Sequence, residues 1–228
     1  WHSVEKPRLG RLKIAVATHA AVSGVRMHWL LRVPDTASVL DTAGYAYDAG
    51  LGYNETVGYL NGTSQAFRPL GVRKLLELPL HIQDGALFFP ERLDLTERQA
   101  EDLCQRLVDN ATRFGGVLTV LWHDRSHGPE RFWGDFYIRL VQMLRSRDAW
   151  FGTAAQVVSW FRKRRAIRFT RLDRGETTRV ALEYQGQGIT PAVKIRDHRP
   201  DGVCIDTPLD VPRNGHITLE LDAFAPQV

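Results

Sequence analysis

Val117-Leu-Thr-Val-Leu-Trp-His123-Asp124 is an apolar run that stops at a histidine and an aspartate. It follows directly on a helical pattern. Thr96 with Gln99 makes a capping box, Ala100, Leu103, Leu107 and Ala111 recur at helical spacing, and Phe114-Gly115-Gly116 ends the stripe. A continuous apolar run in that place predicts a parallel strand covered on both faces. In parallel α/β folds the residues just past a strand's carboxyl end gather into active sites, because the strand fixes their position while the loop is free to vary. His123 is therefore the first candidate for an active-site residue.

Outward from this run, helix and strand patterns alternate. Leu9, Leu12, Val16 and His19 have helical spacing within Glu5 to Ala21, although Pro7 and Gly10 weaken its beginning. Gly24 to Arg32 reads as a short strand with a loop, Thr36 to Ala43 as a helix closed by Gly44, and Tyr45 to Pro69 as a long glycine-rich loop with a short strand at Tyr47. Leu75 to Ile82 reads as a strand in which Pro79 marks a bulge or an edge. Pro129 to Leu144 is helical, Ala149 to Gly152 a short strand, and Thr153 caps a helix running to Arg164. Alternation of this kind predicts an α/β layer or barrel with right-handed crossovers. After Arg165 the texture changes. Ala166–Leu172, Thr178–Tyr184, Ala192–Arg196, Val203–Asp206 and His216–Leu221 are short strand-like segments between Gly, Pro, Asp and Asn, which predicts a small antiparallel β domain over residues 166–228 behind an α/β domain over residues 1–165.

Composition sets the outer bounds. The 228 residues are 43% hydrophobic and 25% charged, an ordinary globular mixture able to bury a sizeable core. The net charge of +4 comes from arginines dispersed among carboxylates, apart from Arg162-Lys-Arg-Arg165, so no nucleic-acid partner is expected. That basic run suits the last turn of a helix, where cations complement the dipole. Cys104 and Cys204 fall in different kinds of segment and do not suggest a disulfide. No apolar run is long enough for a membrane helix, and the start lacks the apolar core of a signal peptide.

Three short pieces end as an active-site strand would: Arg26-Met-His-Trp29, Tyr47-Asp48 and Trp122-His-Asp124. An Arg, an Asp and a His drawn together suit general acid–base hydrolysis, the carboxylate holding the cation and the imidazole protonating a leaving group. The plainer alternative is a structural Arg–Asp salt bridge and a hydrogen-bonded surface histidine. His81 and Asp84 follow another strand, with Asp84 a candidate to join the pocket and His81 as readily structural. His127, and the turn Arg196-Asp-His-Arg199, read as solvated.

The ordered series Gly24-Val-Arg-Met-His-Trp-Leu-Leu-Arg32, Ala43-Gly-Tyr-Ala-Tyr-Asp-Ala-Gly-Leu-Gly-Tyr-Asn54, Val57-Gly58, Gly62-Thr-Ser64, Phe67-Arg-Pro69, Leu76-Glu-Leu-Pro-Leu80 and Leu121-Trp-His123 resembles one branch of the polysaccharide deacetylases, the NodB-homology carbohydrate esterases. The resemblance spans about Leu9 to Arg164. It implies a bacterial, metal-dependent hydrolase on a distorted, TIM-like (β/α) barrel, removing N- or O-acetyl groups from an acetylated polysaccharide or oligosaccharide. By that resemblance His123 is the general acid, Arg26 orients the catalytic carboxylate, and Asp48 is the acidic residue paired with that arginine. His28 and Trp29 stand where the family more often has a proline and an aromatic residue on the groove wall, and Trp122 lines the pocket near the acetyl methyl; Asp84, from its place after a strand and not from the resemblance, is a candidate on the substrate-binding side.

The family also uses a divalent metal, zinc or similar, held with the base by a Thr-Phe-Asp-Asp-like strand and a histidine motif. Neither motif occurs before Arg26, so the metal ligands are not identifiable in this sequence. His2 has no partner at i+4 and reads as incidental, and His19 as packed. The expectation is the C-terminal part of a deacetylase-like barrel, inactive alone unless completed, with apolar surface on its first helices that another chain would cover. A non-catalytic carbohydrate-binding or assembly protein on the same scaffold is the alternative, with Trp29, Tyr53, Trp122 and Trp133 stacking on sugars. An unrelated α/β enzyme using Asp124 or Asp48 with His123 is a third reading. Bacterial cytoplasm and cell envelope are both open.

Overall fold

The structure is a computed structural model describing residues 3–174, 178–186, 188, 190, 192–198, 201–211 and 216–221; His2 and Arg199 lie outside the described residues. The chain divides into two compact units, Trp1–Val158 and Ser159–Val228.

The first unit is built around one sequence run, from Leu75 to Phe88, in which every residue is buried. It forms β3 (Leu76–Glu77), β4 (Ile82–Gln83) and the short helix α3 (Asp84–Phe88). The single strand expected here is interrupted around Pro79, which has no N–H to donate to a ladder. Its neighbours Leu78 and Leu80 still donate to the carbonyls of Asp48 and Leu51, so the run stays attached to the preceding loop. β3 lies parallel to β2 (Tyr47–Asp48), which lies parallel to β1 (Gly24–Val25). β4 pairs in parallel with β5 (Val120–Leu121).

Parallel neighbours need a crossover, and helices supply it. Between β1 and β2 lies α2 (Thr36–Thr42), whose Asp41 accepts the backbone N–H groups of Arg73, Lys74 and Leu75 and so moors the entry to β3. Between β4 and β5 lies α4 (Glu97–Phe114), opened by the capping box of Thr96 and Gln99 and closed at Gly115. Ala100, Cys104 and Leu107 on its buried face meet Ile82, Leu87 and Phe88 of the central run and Phe136 and Leu140 of α5 (Gly134–Ser146). A second cluster joins Leu40, Ala43 and Tyr45 to Val72 and Leu75.

Three expectations change. The Val117–Trp122 run is only half-buried, with Leu118, Val120 and Trp122 packed against the core cluster, and forms a strand at Val120–Leu121 alone. Ala149–Gly152 is irregular rather than a strand. Pro129, Glu130 and Arg131 form a turn and Phe132 and Trp133 are irregular, which delays α5 to Gly134. The first helix, α1 (Glu5–Thr18), is present but buries no residue, and leaves Leu9, Leu12, Ile14 and Val16 exposed. It is tied down by the Tyr45 hydroxyl, which donates to Pro7 O, and by Arg11 Nε, which donates to Ala43 O.

The division between the units falls within α6 (Ala154–Arg165), which ends in the four basic residues Arg162 to Arg165. An antiparallel sheet runs in the order β10-β7-β6, from β6 (Ile167–Arg174), β7 (Thr178–Tyr184) and β10 (His216–Leu221). Val180, Ala181, Leu182 and Tyr184 are buried. A separate ribbon pairs β8 (Val193–His198) with β9 (Cys204–Leu209). Short alternating segments divided by turn residues thus form antiparallel strands, as their pattern dictates.

Gly116 adopts φ +115°, and a Cβ placed there would lie 2.6 Å from the Ser64 carbonyl oxygen. Ser64 is bonded to this turn twice, accepting from Val117 N and donating from its hydroxyl to Gly115 O. Gly116→Ala is expected to cost about 1–3 kcal/mol in urea denaturation. Gly10→Ala, in open space on α1, is expected to be neutral or stabilising by roughly 0.5–1 kcal/mol.

Candidate functional site

Asp84 opens α3 immediately after β4 and has no exposed surface. Four donors converge on its carboxylate: Gly85 N at 2.7 Å, His123 N at 2.8 Å, the Ser126 hydroxyl at 2.5 Å and His123 Nδ1 at 2.7 Å. A carboxylate that accepts from Nδ1 places the ring proton there, so the neutral imidazole presents an unprotonated Nε2 and the imidazolium a donor. The ring itself is 46% exposed. His123 lies two residues beyond β5, the position that its sequence context predicted, with its orientation set by a buried carboxyl group just past the end of the paired strand β4.

A second polar group forms at the ends of β2 and β3. Asp48 and Glu77 are register partners, 3% and 1% exposed. Asp48 Oδ1 accepts from Gly50 N at 3.0 Å and Glu77 Oε1 from Leu51 N at 2.9 Å. Burial raises the pKa of both, and the neighbouring Asp48 charge helps push Glu77 up to about 8. Arg26 is close enough to Asp48 to act on its charge, but its Nε donates to Ala49 O at 2.9 Å, and burial lowers its pKa. Among the described residues Arg26 and Asp48 form no direct ion pair. Nor does any hydrogen bond or ion pair among them join this group directly to Asp84 and His123. The structure therefore sorts the predicted residues into two clusters.

The remaining candidates take different places. His28 and Trp29 sit on an exposed 3-10 turn, their rings in edge contact at 5.7 Å and Trp29 at φ +60°. Trp122 stacks on Phe136 and touches Phe88 and Tyr137, so most of its contact is with the core. Trp133 packs on Phe88 and Phe89. Asp124 accepts from Arg125 N in an exposed turn, and His127 meets the edge of Tyr137. In the second unit Arg196 makes two bonds to Asp206, which also holds Lys194.

His81 is 2% exposed and structural in its contacts. Its Nδ1 accepts from Thr119 N at 3.1 Å, which puts the proton on Nε2, 3.5 Å from Thr63 O. Burial lowers its pKa to about 4. Glu77 and Ser126 escaped the sequence reading. A charged residue inside the apolar run Leu75–Leu80 was the available signal for Glu77, whereas nothing local distinguished Ser126.

The donor set does not fit the divalent metal that the resemblance implies. Among the described residues no group of three or more His, Cys, Asp or Glu could hold a metal ion. Asp84 is occupied by four donors, and His123 has one ring nitrogen engaged by it.

With this geometry in view, the class of fold is mixed α/β with a separate small antiparallel sheet. It is similar to a crystal structure of a candidate polysaccharide deacetylase from Mycobacterium smegmatis, with a TM-score of 0.53 and 17% sequence identity. The match covers 72% of this chain and 59% of that one, so the chain spans little more than half the length of its structural neighbour. At such identity the likeness is one of fold. No family model matches the chain, and no curated protein matches it.

Replacing Asp84 by Ala strands several buried donors at once and is expected to cost about 2–5 kcal/mol in urea denaturation, against about 1 kcal/mol for Ser126→Ala. For His81, the unfolded ring titrates near 6.5 and the folded one near 4, so between those values the unfolded state binds more protons. Stability is therefore lost as pH falls from about 6.5 to 4 and levels off below. His81→Gln should flatten that part of the stability–pH curve, measured by urea midpoints.

Proposed function

We propose that this chain carries the acid side of a hydrolase site of the polysaccharide-deacetylase kind, on a distorted (β/α) barrel, acting on acetylated glycans. The single observation that carries the reading is the Asp84–His123 pair: a buried carboxylate fixing the tautomer of a half-exposed imidazole at a strand's carboxyl end. The fold likeness to the mycobacterial protein and the ordered motif series support it.

In this reading the protonated His123 donates from Nε2 to the nitrogen or oxygen that leaves the acetyl carbon. Asp84 keeps Nδ1–H in place and stabilises the imidazolium, while Gly85 N–H, His123 N–H and the Ser126 hydroxyl hold the carboxylate itself still. Positioned general acids of this type contribute roughly 10²–10⁴-fold to rate. Arg26 and Asp48 form a separate group at the ends of β1 and β2, and His28 and Trp29 offer exposed rings to a sugar.

A second reading has its own support. The lack of a metal-holding group among the described residues, together with the 66% exposure of Trp29, suits a glycan-binding protein that does no chemistry. One experiment separates the two. The chain is incubated with an acetylated chitooligosaccharide, with zinc added or chelator present, while acetate release and binding are both followed. The hydrolase reading expects acetate, reduced roughly 10²-fold or more by His123→Gln. Binding that ignores chelator, with no acetate under any condition, is the outcome expected of the second reading and rejects the first.

A further inference from the structure

Asp48 and Glu77 stand opposite each other in the parallel pair β2–β3, so both side chains leave the sheet on the same face. Both are buried, and among the described residues neither is in an ion pair. Arg32 and Arg26 bear on them only as nearby charges, and Arg26 has turned its Nε to a backbone carbonyl. Two adjacent carboxylates out of water, with no cation bonded to either, cannot both be ionised without a large desolvation and repulsion cost. They titrate as a pair.

What the two acids hold is one short loop. Gly50 N–H donates to Asp48 and the next amide, Leu51 N–H, to Glu77. Arg26 takes the carbonyl of Ala49. The loop then runs to Tyr53, whose carbonyl accepts from Gln83, the residue before Asp84, and to Asn54, which donates to Trp29 O. Ala49 N–H also donates to Val25 O and Leu51 O accepts from Leu80 N, so the carboxylate pair supplies two of the several anchors of Ala49–Asn54.

We infer that Asp48 and Glu77 share a single proton at neutral pH and in that state clamp the Ala49–Asn54 loop, and that losing the proton opens the clamp. Full ionisation leaves two like charges on one buried face, and the strain is relieved by admitting water between the loop and β3. The cations that face the pair are Arg26 and Arg32, and neither changes charge in the range concerned. Glu77 is thus a positioning residue for the loop. The inference stands whether or not the chain hydrolyses anything.

Amide hydrogen exchange at Gly50 and Leu51, read by NMR on the full chain, tests it. Protection factors corrected for intrinsic exchange should fall roughly tenfold or more as pH rises through about 8. Glu77→Gln keeps an acceptor for Leu51 N–H and removes the second charge, so both amides should stay protected at alkaline pH. Flat protection in the unsubstituted protein, or the same fall in Glu77→Gln, overturns the inference. Should that variant fail to fold, infrared difference spectroscopy of the unsubstituted protein decides: a protonated-carboxyl band that bleaches through the same transition supports the shared proton, and no such band at neutral pH overturns it.

Discussion

The buried carboxylate of Asp84 is the junction on which the first unit's site depends. It lies at the point where β4 becomes α3, and its acceptors are filled from its own helix and from a segment 39 residues later in the chain. Deleting any one donor leaves the others in place, but deleting the carboxylate leaves all of them seeking partners in a region closed to water. Packing of Ile82, Leu87 and Phe88 against α4 and α5 puts the carboxylate there, and the hydrogen bonds then decide which way His123 faces. Core and chemistry are coupled through a single side chain.

The two polar clusters use burial in opposite ways. Around Asp84, four donors surround one acid, one of them the His123 ring. Around Asp48 and Glu77, two acids have one backbone donor apiece, and the shortage falls on protonation instead. Both arrangements arise where short parallel strands end, because a strand end releases amides that a nearby carboxylate can accept.

Much of the local structure was legible in the sequence. The Thr96–Gln99 box and the glycines at 115 and 116 mark α4 through chemistry contained within a few residues, and the five short segments of the second unit carry their own turn residues. What local pattern could not supply was lateral context. Val117–Trp122 has the composition of a strand covered on both faces, yet all of it stays half-buried, because what packs over its faces comes from segments distant in sequence. The role of Asp84 depended on a partner far away in sequence, as did the pairing of Asp48 with Glu77 across a long loop. Arg26 illustrates the same point. Its neighbourhood with Asp48 was readable from motif order, whereas its bond to Ala49 O depends on the path of that loop.

The unbroken burial from Leu75 to Phe88 has a consequence for how such a chain can vary. Glu77 and Asp84 sit at fixed positions on one stretch, so that stretch acts as a ruler between two polar clusters. Adding or deleting one residue between them would shift one cluster against the other by up to about 3.3 Å. The loops on either side can lengthen at small entropic expense, since closure cost grows only with the logarithm of length. Length variation is therefore tolerable in the surrounding loops and forbidden along the ruler itself.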